Sequence, residues 1–350
     1  MTFKLIGRIK IMLSVSSLGI LFHAPLFAQQ PTAQACAALT LDSQRLACYD
    51  AVFKQQDPSL PSQDEHGEWF VADQTNSKSA TSLLDQRWEL SPETKLGTWH
   101  IRPYQPVYFL PAVWTSNKNQ QPTSPNPANR LQEPKEEDSI ELKYQLSLKT
   151  KALENIFGDN GDLWFAYTQS SRWQAYNGQD SSPFRETNYE PEASLVFRTN
   201  YDVFGLEGRL LGFTFNHQSN GQADPLSRSW NRLILNVGLE RDNFVLMLRP
   251  WYRIPEASKT DDNPDITDYI GRGDLLAYYQ WQQHKFSLML RHTLKTGDES
   301  RGAMRFDWSI PLKKGLYGHV QLFHGYGESL IDYNHKATYI GLGLSFLNWF

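Results

Sequence analysis

From about residue 98 onward, apolar residues recur at every second position in short segments split by turn residues. Strand side chains alternate faces with period two, so this pattern calls for sheets and not helices as the framework. Twelve segments can be marked, at about 104–114, 139–150, 162–175, 189–201, 207–219, 229–240, 243–254, 267–281, 284–296, 301–311, 316–326 and 338–350. Their connections alternate in length. Those at 115–138, 176–188, 220–228, 255–266 and 327–337 are long, and those at 202–206, 241–242, 282–283 and 312–315 are short. The turn at 151–161 and the loop at 297–300 break the trend. Long loops on one rim, tight turns on the other and an even strand number describe an all-β, twelve-stranded antiparallel transmembrane barrel of the bacterial outer-membrane type.

The last segment fits a closing strand: Ile340, Leu342, Leu344 and Phe346 alternate with Gly341, Gly343 and Ser345, and Phe350 ends the chain. A mean hydropathy of −0.53 is no obstacle, because a barrel needs only one apolar face per strand and its interior can be polar. The 11 Trp and 16 Tyr are available for interfacial girdles. A soluble β-sandwich is the competing architecture, but it requires neither the loop alternation nor the terminal strand.

Residues 1–28 read as a secretory signal, with Lys4, Arg8 and Lys10 before an apolar run that ends at Ala28. No later window is apolar over the ~18 residues a spanning helix needs. A net charge of −4 gives no case for nucleic acid, and no Cys/His metal cluster or phosphate-binding glycine loop is present. Export makes a Cys36–Cys48 disulfide plausible, with two free thiols as the alternative. If bonded, the segment must fold back near Thr40–Asp42, with Asp42 capping a short helix through Phe53. Residues 29–97 are expected to be a periplasmic extension, with the polar, proline-bearing stretch 54–97 a linker of little packed structure, and 98–350 the barrel.

The stretch from His217 to Asn231 is the most chemically loaded. Leu211, Phe213 and Phe215 precede it and Leu233, Leu235 and Val237 follow, as in a hairpin with a polar tip. Pairing His217 opposite Asn231 puts these two residues, Ser219 and the apolar band on one face. A Ser nucleophile, a His base and an amide that orients the ring are thereby assembled. The amides near Ser219 and Gly221 are the candidate oxyanion donors, and Gly221 allows close approach of a substrate. In a barrel this face points outward. A nucleophile aimed at lipid near the outer-leaflet rim implies a lipid substrate.

At this point the chain resembles the outer membrane phospholipase A family over roughly residues 98–350. The resemblance rests on His217-Gln-Ser-Asn-Gly-x-x-Asp-Pro-x-Ser-Arg-Ser-Trp-Asn-Arg-Leu, Ser181-Ser-Pro-Phe-Arg-Glu-Thr-Asn-Tyr-Glu-Pro, Asp261-Asp-Asn-Pro-Asp-Ile-Thr and Gly325-Tyr-Gly-Glu-Ser-Leu-Ile-Asp-Tyr-Asn. It implies a calcium-dependent, dimeric enzyme of the bacterial outer membrane that hydrolyses acyl esters of phospholipids and lysophospholipids. Ser219 would be the nucleophile, His217 the base and Asn231 the orienting residue. Calcium (Ca2+) at the dimer site would be bound by the Ser227 hydroxyl, the Gln222 carbonyl and Ser181 from the other protomer of a homodimer. Gln222 stands where the family pattern has Arg, a change that a backbone ligand tolerates. Asp262, with Asp224 nearby, resembles a second calcium site used by the monomer, although an Asp in a turn is commonly an Asx-turn residue. Gln169 resembles a glutamine that hydrogen-bonds across the dimer, and an amide on a lipid face needs such a partner. The competing functions are a pore or adhesin with a degenerate site, or a lipid-binding scaffold that recruits partners through residues 29–97.

Overall fold

The computed structural model describes residues 33–53, 82–179, 181–313 and 315–348. The expected signal at 1–28, most of the expected linker (54–81) and Phe350 lie outside the described residues. The chain divides into two units between Gly67 and Glu68. In the first, helices α1 (Ala33–Ala37) and α2 (Asp42–Phe53) are joined by a Cys36–Cys48 disulfide whose Cα atoms lie 5.4 Å apart. The chain reverses between the helices, as that short separation requires. Asp42 enters the first turn of α2, where unpaired amides favour a carboxylate.

The second unit is a closed barrel. Twelve long strands run from β2 (Val107–Thr115) and β3 (Ile140–Leu153) to β12 (Leu316–Tyr326) and β13 (Lys336–Leu347). They pair antiparallel in chain order, and β13 returns to pair with β2. A two-residue strand, β1 (Arg102–Pro103), continues the line of β2 along β3. No helix among the described residues is long and apolar enough to cross a membrane. Closure pairs each of the twelve long strands on both sides, and that is the condition for strands to exist in hydrocarbon at all.

Alternation sorts the side chains. Along β6 (Leu206–Ser219), Leu210, Thr214 and Asn216 are buried in the lumen while Phe213 and Phe215 are 52% and 45% exposed to the outside. On β3 the lumenal residues are Glu141, Lys143, Gln145, Ser147, Lys149 and Lys151, with Leu146 and Leu148 outside.

Both ends of the lumen are filled. At the short-turn rim, helix α3 (Leu83–Trp88) enters the barrel. Ser82 caps it by accepting from the Asp85 amide, and the Asp85 carboxylate accepts from Ser91 and Thr94, tying down the turn that follows. Leu84 is fully buried, and its amide donates to Glu240 at 2.9 Å. Trp88 packs edge-on against Trp164 at 5.7 Å. The Lys149 ammonium lies 3.5 Å from the Trp88 ring centre and 4.4 Å from that of Trp164, and donates to the Arg87 carbonyl at 2.6 Å. Burying an ammonium costs several kcal/mol. Two desolvated cation–π contacts at about 2 kcal/mol each and one charged hydrogen bond offset part of that cost. Glu89 completes the seal by pairing with Arg102 and Lys151. Of the described part of the expected linker, residues 83–90 are packed barrel contents, because Leu84, Trp88 and Leu90 carry the apolar surface that fills this end, and residues 91–97 follow at the rim.

At the long-loop rim, residues 327–335 fold inward, burying Leu330, Ile331 and Tyr333. Glu328 binds Lys143 at 2.5 Å and Arg172 at 3.0 Å, and Asp332 binds Arg185 at 2.8 Å. Burial opposes both charges, yet the cations beside them hold both carboxyls below the usual range.

Two strand expectations change. Residues 267–270 form a helical turn, α4 (Thr267–Ile270), with Ile270 buried, so β9 starts only at Gly273 (Gly273–Trp281). β10 (His284–His292) ends early, which makes the 293–301 connection long like its neighbours on that rim.

Replacing Trp88 with Ala is expected to cost about 3–5 kcal/mol, read as a lower urea midpoint for loss of the folded band on unheated gels. Glu328 and Asp332 have lowered folded pKa values, so their contribution is full above the unfolded carboxyl value and drains away as pH falls through the folded one. The urea midpoint is expected to fall as pH drops below about 4, and to fall less in the Glu328→Gln, Asp332→Asn double variant.

Candidate active site

The hairpin forms as its alternation requires. β6 pairs with β7 (Ser229–Arg241), His217 lies directly opposite Asn231, and Phe215 lies opposite Leu233. His217 Nδ1 and Asn231 Oδ1 are 2.8 Å apart. The amide oxygen accepts only, so Nδ1 carries the proton and Nε2 is left basic. Ser219, two residues along the same face, lies opposite Ser229. Its hydroxyl makes no hydrogen bond among the described residues, and catalytic hydrogen bonds are often long before substrate binds. All three residues are half-buried at the long-loop end of a face whose next residues are the exposed Phe215 and Leu233.

The loop at 220–228 is held by Asn220, which sequence reasoning passed over. Asn220 is 3% exposed. Its side chain accepts from the Arg228 amide at 3.0 Å and donates to the Leu226 carbonyl at 2.8 Å. Gly221 sits at φ +63°, and a Cβ there would meet the Tyr189 ring at 2.9 Å, so both conformation and space demand glycine. The Gly221 amide donates to no described residue, which leaves it free for a substrate oxygen.

The expected calcium ligands fall into two groups. Asp224, Ser227 and Asp262 converge: Ser227 Oγ donates to Asp262 at 2.7 Å, and the Asn129 amide donates to Asp224 at 2.9 Å, to the Ser227 carbonyl at 3.2 Å and to Asp262 at 3.5 Å. Asn129, 1% exposed on the 116–139 loop, had no sequence signal. Gln222 turns its side-chain Nε2 inward to Glu186 and the Arg185 carbonyl, and its backbone carbonyl is the ligand the resemblance implies. Ser181 stands apart and exposed on the 174–183 loop at φ +57°. Two carboxylates, a hydroxyl and carbonyls make a hard-oxygen donor set that fits calcium. Among the described residues no three His, Cys, Asp or Glu side chains cluster as a metal centre, so a cation here would draw on hydroxyl, carbonyl and water oxygens.

Glu256, two residues past β8 (Phe244–Ile254), is a third residue missed in the sequence. Its Oε1 accepts from Asn231 Nδ2 at 3.3 Å. Burial, then Asp261, pushes its carboxyl up. Gln169 lies on the outer face beside the exposed Phe165 and Tyr167, and the Tyr167 hydroxyl donates to its Oε1 at 3.3 Å.

The family of Phospholipase A1 matches residues 84–346. A Neisseria meningitidis protein described as a putative phospholipase A1 is 38% identical over 363 residues, covering 94% of each chain. The Escherichia coli K12 phospholipase A1 is 42% identical over 204 residues, 58% of this chain and 68% of that one. Among solved structures, outer membrane phospholipase A from E. coli superposes with a TM-score of 0.62 at 34% identity, covering 71% of this chain and 94% of that one. A Salmonella typhi outer membrane phospholipase dimer with bound calcium gives 0.63 at 35%, covering 74% and 95%. The family match begins within α3, so the plug helix is part of the shared domain. The chain belongs to the phospholipase A1 family.

Proposed function

We propose that this phospholipase of the bacterial outer membrane cleaves acyl esters of phospholipids, and of lysophospholipids, through Ser219, His217 and Asn231, with calcium as cofactor and a homodimer as the active form. The observation that carries the reading is the outward-facing pair His217–Asn231, hydrogen-bonded at 2.8 Å on a face shared with Ser219 and the lipid-exposed Phe215.

His217 Nε2 takes the Ser219 hydroxyl proton as Oγ attacks the acyl carbonyl. The Gly221 and Ser219 amides receive the developing oxyanion. The imidazolium then protonates the departing lyso-alcohol, leaving an acyl-serine. Water, deprotonated by the same ring, releases the fatty acid and restores Ser219. Asn231 keeps Nδ1 protonated and the ring aimed. Asp224, Ser227, Asp262 and the Gln222 carbonyl are the residues that would hold calcium, with Ser181 supplied by the second protomer. When bound, the cation supplies positive charge that favours the oxyanion. Gln169, an amide on a hydrocarbon-facing surface, gains most from a partner across a protomer interface. A conducting pore needs an open lumen, and here α3 and residues 327–335 fill both ends.

Acyl release from phospholipid micelles is expected to vanish in Ser219→Ala and with chelator, and to fall about 10²-fold in kcat in Asn231→Ala; equal rates with and without calcium would remove the metal from the scheme. Gln169→Leu is expected to weaken the dimer by about 1 kcal/mol, measured by sedimentation equilibrium in detergent with calcium and a substrate-like sulfonyl inhibitor.

A further inference from the structure

An asparagine is a weak third member for such a site, since it orients the imidazole but brings no charge to stabilise the imidazolium. The structure supplies a charge one bond further out. Asn231 Oδ1 faces His217 Nδ1 at 2.8 Å, and its Nδ2 faces Glu256 Oε1 at 3.3 Å. We propose that Glu256 is a fourth, positioning member of the catalytic chain, acting on His217 through the Asn231 amide. This rests on the Ser–His–Asn reading.

Two effects follow from the geometry. First, a carboxylate only accepts, so it fixes which end of the amide it meets. Flipping Asn231 would set its oxygen against the Glu256 oxygen and its NH2 against the Nδ1 proton, losing both hydrogen bonds at once. Second, the carboxylate polarises the amide toward a more negative Oδ1, and hydrogen bonds in chains reinforce one another in this way. The proton that His217 gains from Ser219 is thereby stabilised by a full negative charge relayed across one peptide-like group.

The charge of Glu256 is not spent elsewhere. Its side chain has no other hydrogen-bond partner among the described residues. Arg253, the nearby cation, donates through Nη2 to both carboxylate oxygens of Asp261, at 2.6 and 2.8 Å. The charged groups around Glu256 are Asp261, Asp262 and Arg253 on its own segment and, through Asn231, His217 on β6. The two aspartates disfavour its ionisation and Arg253 favours it. Glu256 and Asp262 sit on the same 255–272 connection, so one loop supports the imidazole and contributes to the calcium site.

The test compares Glu256→Gln, which keeps an acceptor oxygen but removes the charge, with Glu256→Ala, which removes both. Folding of each variant is checked by heat-modifiable gel mobility. Two quantities are read on full-length protein in calcium-containing micelles: kcat and KM for a phospholipid, and the His217 imidazole pKa by NMR of histidine-labelled protein. Glu256→Gln is expected to lower kcat roughly 3–10-fold at unchanged KM and to lower the His217 pKa, with Glu256→Ala lowering kcat further. A His217 pKa that stays at the parental value in both variants would overturn the proposal, whatever happens to the rate. Failure of the underlying reading looks different: Ser219→Ala or His217→Ala would then retain hydrolysis.

Discussion

Each backbone N–H or C=O left unpaired in hydrocarbon costs several kcal/mol, and the rest of this structure depends on the way that cost is avoided. The return of β13 to β2 gives each of the twelve long strands two neighbours. Once the ring is closed, the period of the strand leaves each residue only two places to point. Phe213 and Phe215 go to lipid, Thr214 and Asn216 go to the lumen, and His217 and Asn231 are carried outward by parity alone. A reactive cluster on an outer wall is then not a choice of fold but a consequence of where in the sequence the polar residues fall.

The lumen is charged, and charge in a narrow space has to be matched. The barrel does this at both ends with segments of its own chain. Lys149 is placed between two indoles, Lys151 among Glu89, Glu154 and Asp162, and Lys143 and Arg172 on Glu328. These contacts stiffen both ends of a polar interior that keeps a cavity between them, lined by Arg232, Arg249 and Arg291 among others. The rigidity matters at the outer wall, where a base and its orienting amide must hold a separation of a few ångströms on strands that lipid does nothing to support.

Much of this is readable in the residues. The alternation marks the strands, the loop lengths mark the rims, and the hairpin at 217–231 sets its own register. Other parts are not, for identifiable reasons. Residues 82–97 read as linker because Leu84, Trp88 and Leu90 show neither period two nor a sustained helical stripe; they match the shape of a lumen built from residues far along the chain. Residues 267–270 read as strand because Thr267, Tyr269 and Ile270 favour one, and only the burial of Ile270 against Trp230, Trp251 and Tyr333 explains the helical turn. Asn129 and Glu256 look like ordinary loop residues. Asn129 gains its meaning from Asp224, 95 positions away, and Glu256 from Asn231, 25 positions away. Spacing in a sequence carries information about neighbours on one strand or one hairpin, and little about which loops meet above a rim.

The plug also imposes an order of events. Leu84 and Trp88 precede every stave of the cylinder in the chain, so they are delivered before the walls that will enclose them exist. Either the ring zips shut around a segment already waiting inside, or the segment threads in through the short-turn mouth after closure. In both cases the earliest-emerging part of the domain finds its contacts only as the walls close or after they have closed. Until then Lys149 lacks the Trp88 ring and Lys151 the Glu89 carboxylate, so a half-assembled cylinder matches these cations only with its own Trp164, Glu154 and Asp162.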